Sequence, residues 1–90
     1  MRRKEKVTKV IDGDTFETDS RKNAVRLANV DTPEKGRRGA PQAREKLRNL
    51  IEGKEVGIET VARDKYGRSV ARVYRGRESV NKKMQAEGKK

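Results

Sequence analysis

Asp14, Asp31, Glu34, Arg26 and Arg68 are the residues through which this sequence could perform chemistry. Asp14 closes the stretch "VIDGD", and Asp31 and Glu34 flank a Thr-Pro step in "NVDTPE". Two carboxylates brought to the ends of neighbouring strands repel one another unless a cation sits between them. Ca²⁺ accepts Asp oxygens, backbone carbonyls and waters at about 2.3–2.6 Å. Pro33 keeps Thr32 out of the helical region, so the Thr32 backbone carbonyl is a candidate third oxygen. Glu34, one step beyond, is placed to act as a general base on a water. Arg26 lies in mid-strand and Arg68 follows Tyr66-Gly67. Two guanidiniums converging on a phosphodiester would clamp its oxygens and neutralise a pentacoordinate transition state. Lys65 and Tyr66 could hold a neighbouring phosphate or base. Each residue also has a plainer reading. Asp12 and Asp14 serve as turn residues, Asp31 breaks a strand, Glu34 is a solvated loop acid, Arg26 faces solvent, and Lys65 to Arg68 form a polar hairpin tip.

Composition narrows the choice. The 90 residues contain no His and no Cys. That removes the commonest general base, thiolate metal sites, disulfides and every Ser-His or Cys-His nucleophile. The spacing of the acids after Asp12 does not fit an EF-hand loop. Chemistry is left to carboxylates, Arg, Lys, Tyr and a hard metal. Formal net charge is +11, which points to a polyanion partner, chiefly nucleic acid. An anionic membrane is disfavoured because no amphipathic helix carries a wide apolar face and no segment is apolar enough to span. The many other Lys and Arg, including "KGRR", Arg44, Lys46 and Arg48, supply general attraction and salt dependence. Three aromatics in all (Tyr 2, Phe 1) leave extended base stacking poorly supplied.

These residues need a scaffold, and the apolar pattern describes one despite only 30% hydrophobic content. "MRRKEK" reads as a basic N-terminal arm over residues 1–6, loosely paired. "VTKVI" and "TFETD" read as a hairpin about Asp12-Gly13. "AVRLANV" alternates, with Val25 and Leu27 opposite Ala24, Arg26 and Ala28, as a half-buried strand does. Pro41 suits the first turn of a helix carrying Ala43, Leu47, Leu50 and Ile51 at helical spacing, with Gly53 as its stop. "KEVGIETVA" and "SVARVY" supply two further strands around the turn "RDKYGR". A short helix with Val80 and Met84 on one face starts at a Ser cap. The order is β-β-β-α-β-β-α. The fold class is mainly β with α: an OB-fold, a five-stranded barrel with a helix between strands 3 and 4 and a short C-terminal helix, in a single domain over 1–90. An open α+β sheet fits the same pattern.

"VIDGDTF", "RLANVDTPE" and "DKYGRSVARVY", in that order, strongly resemble the staphylococcal nuclease (thermonuclease) family, and "SVNKKMQAEG" looks like its helix after the last barrel strand. The match runs from about Val7 to Gly88. The resemblance implies an OB-fold enzyme that hydrolyses DNA and RNA with Ca²⁺, leaving 3′-phosphate ends. It implies Asp14, Asp31 and the Thr32 carbonyl as Ca²⁺ ligands, with Asp12 as a supporting acid. Glu34 matches the residue assigned to the attacking water, Arg26 and Arg68 match the phosphate-binding arginines, and Lys65 and Tyr66 match contacts to the nucleotide's other phosphate. Two departures stand out. The loop from Lys35 to Ala40 is short, and the chain stops at "GKK" where the family continues with an aromatic-containing segment and another helix. A compact variant or a shortened chain is expected, with a weaker hold on substrate. The expected partner is nucleic acid, with no membrane, and the expected state is a monomer. A non-catalytic nucleic-acid-binding module on the same fold is the alternative, and a basic domain docking an acidic protein is a third.

Overall fold

The computed structural model describes residues 2–32 and 36–88, with side chains described as far as Gln85. Strands β1 (Arg3–Asp12), β2 (Thr15–Thr18) and β3 (Val25–Leu27) precede helix α1 (Ala40–Ile51). Strands β4 (Glu55–Arg63), β5 (Ser69–Arg75) and β6 (Glu78–Ser79) follow, and helix α2 (Val80–Gly88) ends the described chain. The sheet order is β3-β2-β1-β4-β5-β6, and a further β3–β5 pairing joins its ends. That contact is parallel, with Val25 opposite Ser69, Arg26 opposite Val70 and Leu27 opposite Ala71. It closes five strands into the barrel of an OB-fold and rules out the open sheet. β6 is a two-residue addition on the end of β5.

β1 holds the barrel together because it pairs along its length with two partners. Arg3 to Lys6 face β4, and Val7 to Asp12 face β2. Register shifts between Val7 and Lys9 and between Val10 and Asp12 interrupt the second ladder. Irregularities of this kind bend a strand and raise its twist, which a small barrel requires. Arg3 to Lys6 therefore belong to the barrel wall, in contrast to the loosely paired arm expected from "MRRKEK". The cause is Glu5. Its carboxylate is buried and accepts the Thr18 hydroxyl at 2.7 Å and Arg21 Nε at 2.9 Å on both oxygens. A buried charge this well matched costs far less than an unpaired one.

β3 is shorter than the alternation of "AVRLANV" suggests. Asn29 takes φ +59°, a left-handed conformation that Asn tolerates, and no strand continues through it. The chain turns there, and Val30 and Thr32 come back against the interior. The core is Val7, Val10, Phe16, Val25, Leu27, Val30, Val56, Ile58, Val73 and neighbours from the barrel, closed by Ala43, Leu47 and Ile51 of α1 and Val80 and Met84 of α2. Phe16 is fully buried, and truncating such a side chain typically costs about 3–5 kcal/mol.

Both helices are tied down at the ends. Gly39 occupies the N-cap position of α1 in the left-handed conformation at φ +89°, with Pro41 in the first turn, and Arg48 in the last turn complements the helix dipole. Just beyond it, Glu52 Oε2 accepts the Val10 N–H at 3.1 Å, linking α1 to β1. On α2 the Ser79 hydroxyl accepts the Lys82 N–H, as an N-cap does. The buried Asn81 donates to the carbonyls of Ala28 and Ala71 at 2.9 and 3.0 Å and accepts the Val73 N–H at 2.7 Å. One amide thereby satisfies three backbone groups where β3 ends and β5 passes.

Candidate active site

Barrel closure places the two arginines. Arg26 alternates with the buried Val25 and Leu27, so its side chain leaves the barrel wall on the other face. Thr15 lies directly across from it on β2. The Arg26 guanidinium donates through Nη1 to the Leu27 carbonyl at 3.3 Å and through Nη2 to the Val30 carbonyl at 3.2 Å. The same Nη2 lies 3.4 Å from Asp14 Oδ2 in an ion pair that is partly open to solvent, the side chains being 27% and 17% exposed.

Arg68 is set by its turn. Asp64 Oδ1 accepts the backbone N–H groups of Tyr66 at 3.0 Å and Arg68 at 2.9 Å, an Asx-type turn. Gly67 supplies the positive φ (+83°) that this loop requires. Asp64 Oδ2 also accepts Arg68 Nε at 2.6 Å. Partial burial opposes ionisation of Asp64, but the Arg68 N–H, the Arg68 guanidinium and the Tyr66 N–H outweigh it and hold the carboxyl below its usual range. Arg68 Nη1 then reaches the Thr15 hydroxyl at 3.4 Å, and that hydroxyl donates to Asp14 Oδ1 at 2.8 Å. Asp14, Arg26 and Arg68 are thus joined in one network through Thr15.

Thr15 and Asp64 are absent from the set of residues drawn from the sequence. The signal for Asp64 was present: an Asp opening a five-residue turn with Gly at its fourth position is the pattern of a side chain that caps its own loop. Thr15 carried no comparable local mark, since Arg68, which it links to Asp14, lies 53 positions away.

Thr32 is buried, and the β1–β2 turn presses against it. A Cβ added to Gly13 would lie 2.8 Å from Thr32 Oγ1 and 2.7 Å from the Ala43 Cβ, so this turn has room only for Gly. Asp14 and Asp31 each adjoin one side of this contact. Asp31 is exposed and makes no hydrogen bond or ion pair with another described residue. Among the described residues no three Asp or Glu side chains gather as a metal cluster. A cation here would draw on two carboxylates, the Thr32 carbonyl and waters, an all-oxygen donor set that suits Ca²⁺. Asp12 lines a cleft of about 300 Å³ beside Arg37 and Arg44. Lys65 and Tyr66 project from the tip of the turn. Tyr66 is 71% exposed, and Lys65 Nζ and Arg68 Cζ lie 5.3 and 5.4 Å from its ring centre. Glu34 falls outside the described residues.

Comparison with known proteins gives concordant results. The family model described as staphylococcal nuclease homologue matches residues 24–89. Arg26, Asp31, Thr32, Glu34, Lys65, Tyr66 and Arg68 fall inside that segment, and Asp12 and Asp14 precede it. An uncharacterized endonuclease of Escherichia coli O157:H7 is 41% identical over 71 residues, covering 77% of this chain and 46% of that protein. A thermonuclease of Staphylococcus hyicus is 33% identical over 93 residues, covering 92% and 55%. A micrococcal nuclease of Shigella flexneri is 36% identical over 70 residues, covering 76% and 40%. The chain spans about half the length of these relatives.

Proposed function

The chain belongs to the staphylococcal nuclease family, and on that premise we propose that it hydrolyses phosphodiester bonds of DNA and RNA in a Ca²⁺-dependent reaction that leaves 3′-phosphate ends, acting as a single-domain monomer. The observation that carries the reading is the network of Asp14, Arg26 and Arg68: Arg26 meets the Asp14 carboxylate directly, and Arg68 is linked to it through the Thr15 hydroxyl.

In this reading Asp14, Asp31 and the Thr32 carbonyl hold the cation, with Asp12 in support. When bound, Ca²⁺ would withdraw charge from the scissile phosphate and favour ionisation of water near it. Arg26 and Arg68 take the phosphate oxygens. Each has its guanidinium fixed by hydrogen bonds before substrate arrives, so little reorganisation accompanies the build-up of negative charge. Glu34 accepts a proton from the attacking water as the new P–O bond forms. The bond to the 5′-oxygen then breaks, leaving phosphate on the 3′ side, and the departing 5′-oxygen takes a proton from solvent to become the alcohol. Lys65 and Tyr66 hold an adjacent phosphate. The exposed basic surface recruits the strand; among the described residues no helix is long and apolar enough to cross a membrane.

Cleavage of end-labelled single-stranded DNA, measured with millimolar Ca²⁺ and again with excess chelator, tests this. Cleavage should be confined to the Ca²⁺ reaction and should yield 3′-phosphate ends. Equal cleavage in both would defeat the metal assignment. Salt-sensitive binding with the DNA intact after long incubation in Ca²⁺ would instead select a binding module.

A further inference from the structure

Near the Gly67 carbonyl, which Asn23 and Arg63 both contact, lies a second cleft, of about 200 Å³, lined by Arg21, Lys22, Asn23, Arg63 and Ser69. We propose that it is a second phosphate-binding subsite, holding the nucleic-acid strand one or two phosphates away from Arg26 and Arg68. The proposal deepens the nucleic-acid reading above and rests on it for the identity of the ligand.

The cleft is built rather than incidental. Arg21 forms part of its floor and is fixed in place. Its Nε binds both oxygens of the buried Glu5, and its Nη1 donates to the Thr60 and Ser69 hydroxyls at 3.1 and 3.0 Å. Its Nη2 has no partner among the described residues. The Ser69 residue is 3% exposed, and its hydroxyl accepts from Arg21 while its own proton meets no described acceptor. Asn23 Nδ2 and Arg63 Nη1 both donate to the Gly67 carbonyl, at 3.2 and 3.3 Å, which turns these two side chains over the same peptide. The exposed Lys22 adds a further cation. No carboxylate lines the cleft, and Glu5 neutralises only Arg21. An oxyanion would therefore find a fixed guanidinium edge, a hydroxyl donor and the cations of Lys22 and Arg63, the chemistry that recognises phosphate.

The distance suits one strand. Asn23 and Arg26 are three positions apart, at most roughly 10 Å of backbone. That is a step of one or two phosphates on a single nucleic-acid strand.

Equilibrium binding of a fluorescein-labelled 12-nucleotide single-stranded DNA, followed by anisotropy in chelator over a range of salt, tests the subsite apart from catalysis. Lys22→Glu with Arg63→Glu should weaken binding at least tenfold and lower the salt slope by about 1–2. The pair Arg77→Glu with Lys82→Glu makes the same change of net charge, Arg77 lying at the opposite end of β5, and should cost less than threefold. Affinity for a labelled dinucleotide, too short to reach the cleft, should be unchanged by either pair. Thermal melts check folding, and Lys22→Gln with Arg63→Gln gives a milder version of the same comparison. Equal losses in the two pairs, or no binding by the unaltered protein, would overturn the subsite. An oligonucleotide bound in the expected pattern but left uncut in Ca²⁺ would support the subsite while defeating the catalytic reading.

Discussion

Glu5 with Arg21 and Asp14 with Arg26 are both arginine–carboxylate pairs in one small barrel, yet they are built differently. At the first, the carboxylate is almost wholly buried, with its side chain 1% exposed, and both of its oxygens are taken by Nε, one also by Thr18. Arg21 goes on to Thr60 and Ser69, so the pair ties β1, β2, β4 and β5 together. At the second, the contact is a longer 3.4 Å, both partners reach solvent, and the arginine leans on backbone carbonyls as much as on the acid. A saturated pair in low dielectric holds a fold and resists exchange. A loose pair at the surface is worth little to stability and can give up its carboxylate for a phosphate.

That contrast can be broken in a definite order. The largest effect belongs to the buried pair: Glu5→Ala leaves Arg21 without its counter-ion and should destabilise the protein by about 3–5 kcal/mol. Denaturant unfolding would record it, and a loss under about 1 kcal/mol would show that the pair does not hold the barrel. Next comes the open site. On the proposed reading, Arg68→Ala should lower kcat by about 10²–10³-fold with the melting temperature nearly unchanged, since a group assigned to the transition state would be gone. A large fall in melting temperature with kcat intact would reverse the assignment of roles. Smaller still is Asp64→Asn, which keeps the turn's hydrogen-bonding shape but weakens the hold on Nε. A roughly tenfold loss in kcat with KM little altered is expected if Asp64 positions Arg68, and in an Arg68→Lys background Asp64→Asn should then cost little more.

Acid separates the pairs more gently. Burial opposes ionisation of Glu5, but the hydrogen bonds from Arg21 and Thr18 and the Arg21 charge outweigh it and lower the carboxyl below its ordinary 4.5. The unfolded chain therefore takes up the proton first as pH falls. The stabilisation is complete above about pH 4.5 and is lost progressively below it, through the lower folded value. Unfolding free energies from pH 6 to 3 should fall more steeply for the native sequence than for Glu5→Gln; parallel curves would place the acid-sensitive group elsewhere.

The sequence disclosed what is local and periodic. Val25 with Leu27, Ala43 with Leu47 and Ile51, and Val80 with Met84 mark their buried faces, and the barrel follows from their order. It concealed what depends on distant partners. Glu5 sits among four basic residues and looks solvated until β4 and Arg21 are beside it. Asn29 gave no warning that it would end β3, because the same alternation runs on through Val30. Of the candidate site, Asp14, Arg26 and Arg68 form one network, whereas Thr15, which joins them, could not be singled out before strands from three parts of the chain were aligned. The roles of Asp31, Thr32, Lys65, Tyr66 and Asp12 still rest on the family and on chemistry.

The parallel β3–β5 seam has a kinetic consequence. Arg68 and Thr15 are 53 positions apart, and their meeting waits on the non-local pairing that brings Ser69 beside Val25. Contacts of such long sequence separation are slow to form, because the loop between them must lose its freedom first. A chain with its hairpin and α1 already formed, but its seam still open, would have Asp14 and Arg26 in place and Arg68 adrift. Refolding followed by recovery of cleavage should therefore lag behind refolding followed by helix content, and hydrolysis would date the moment at which the last strand locks home.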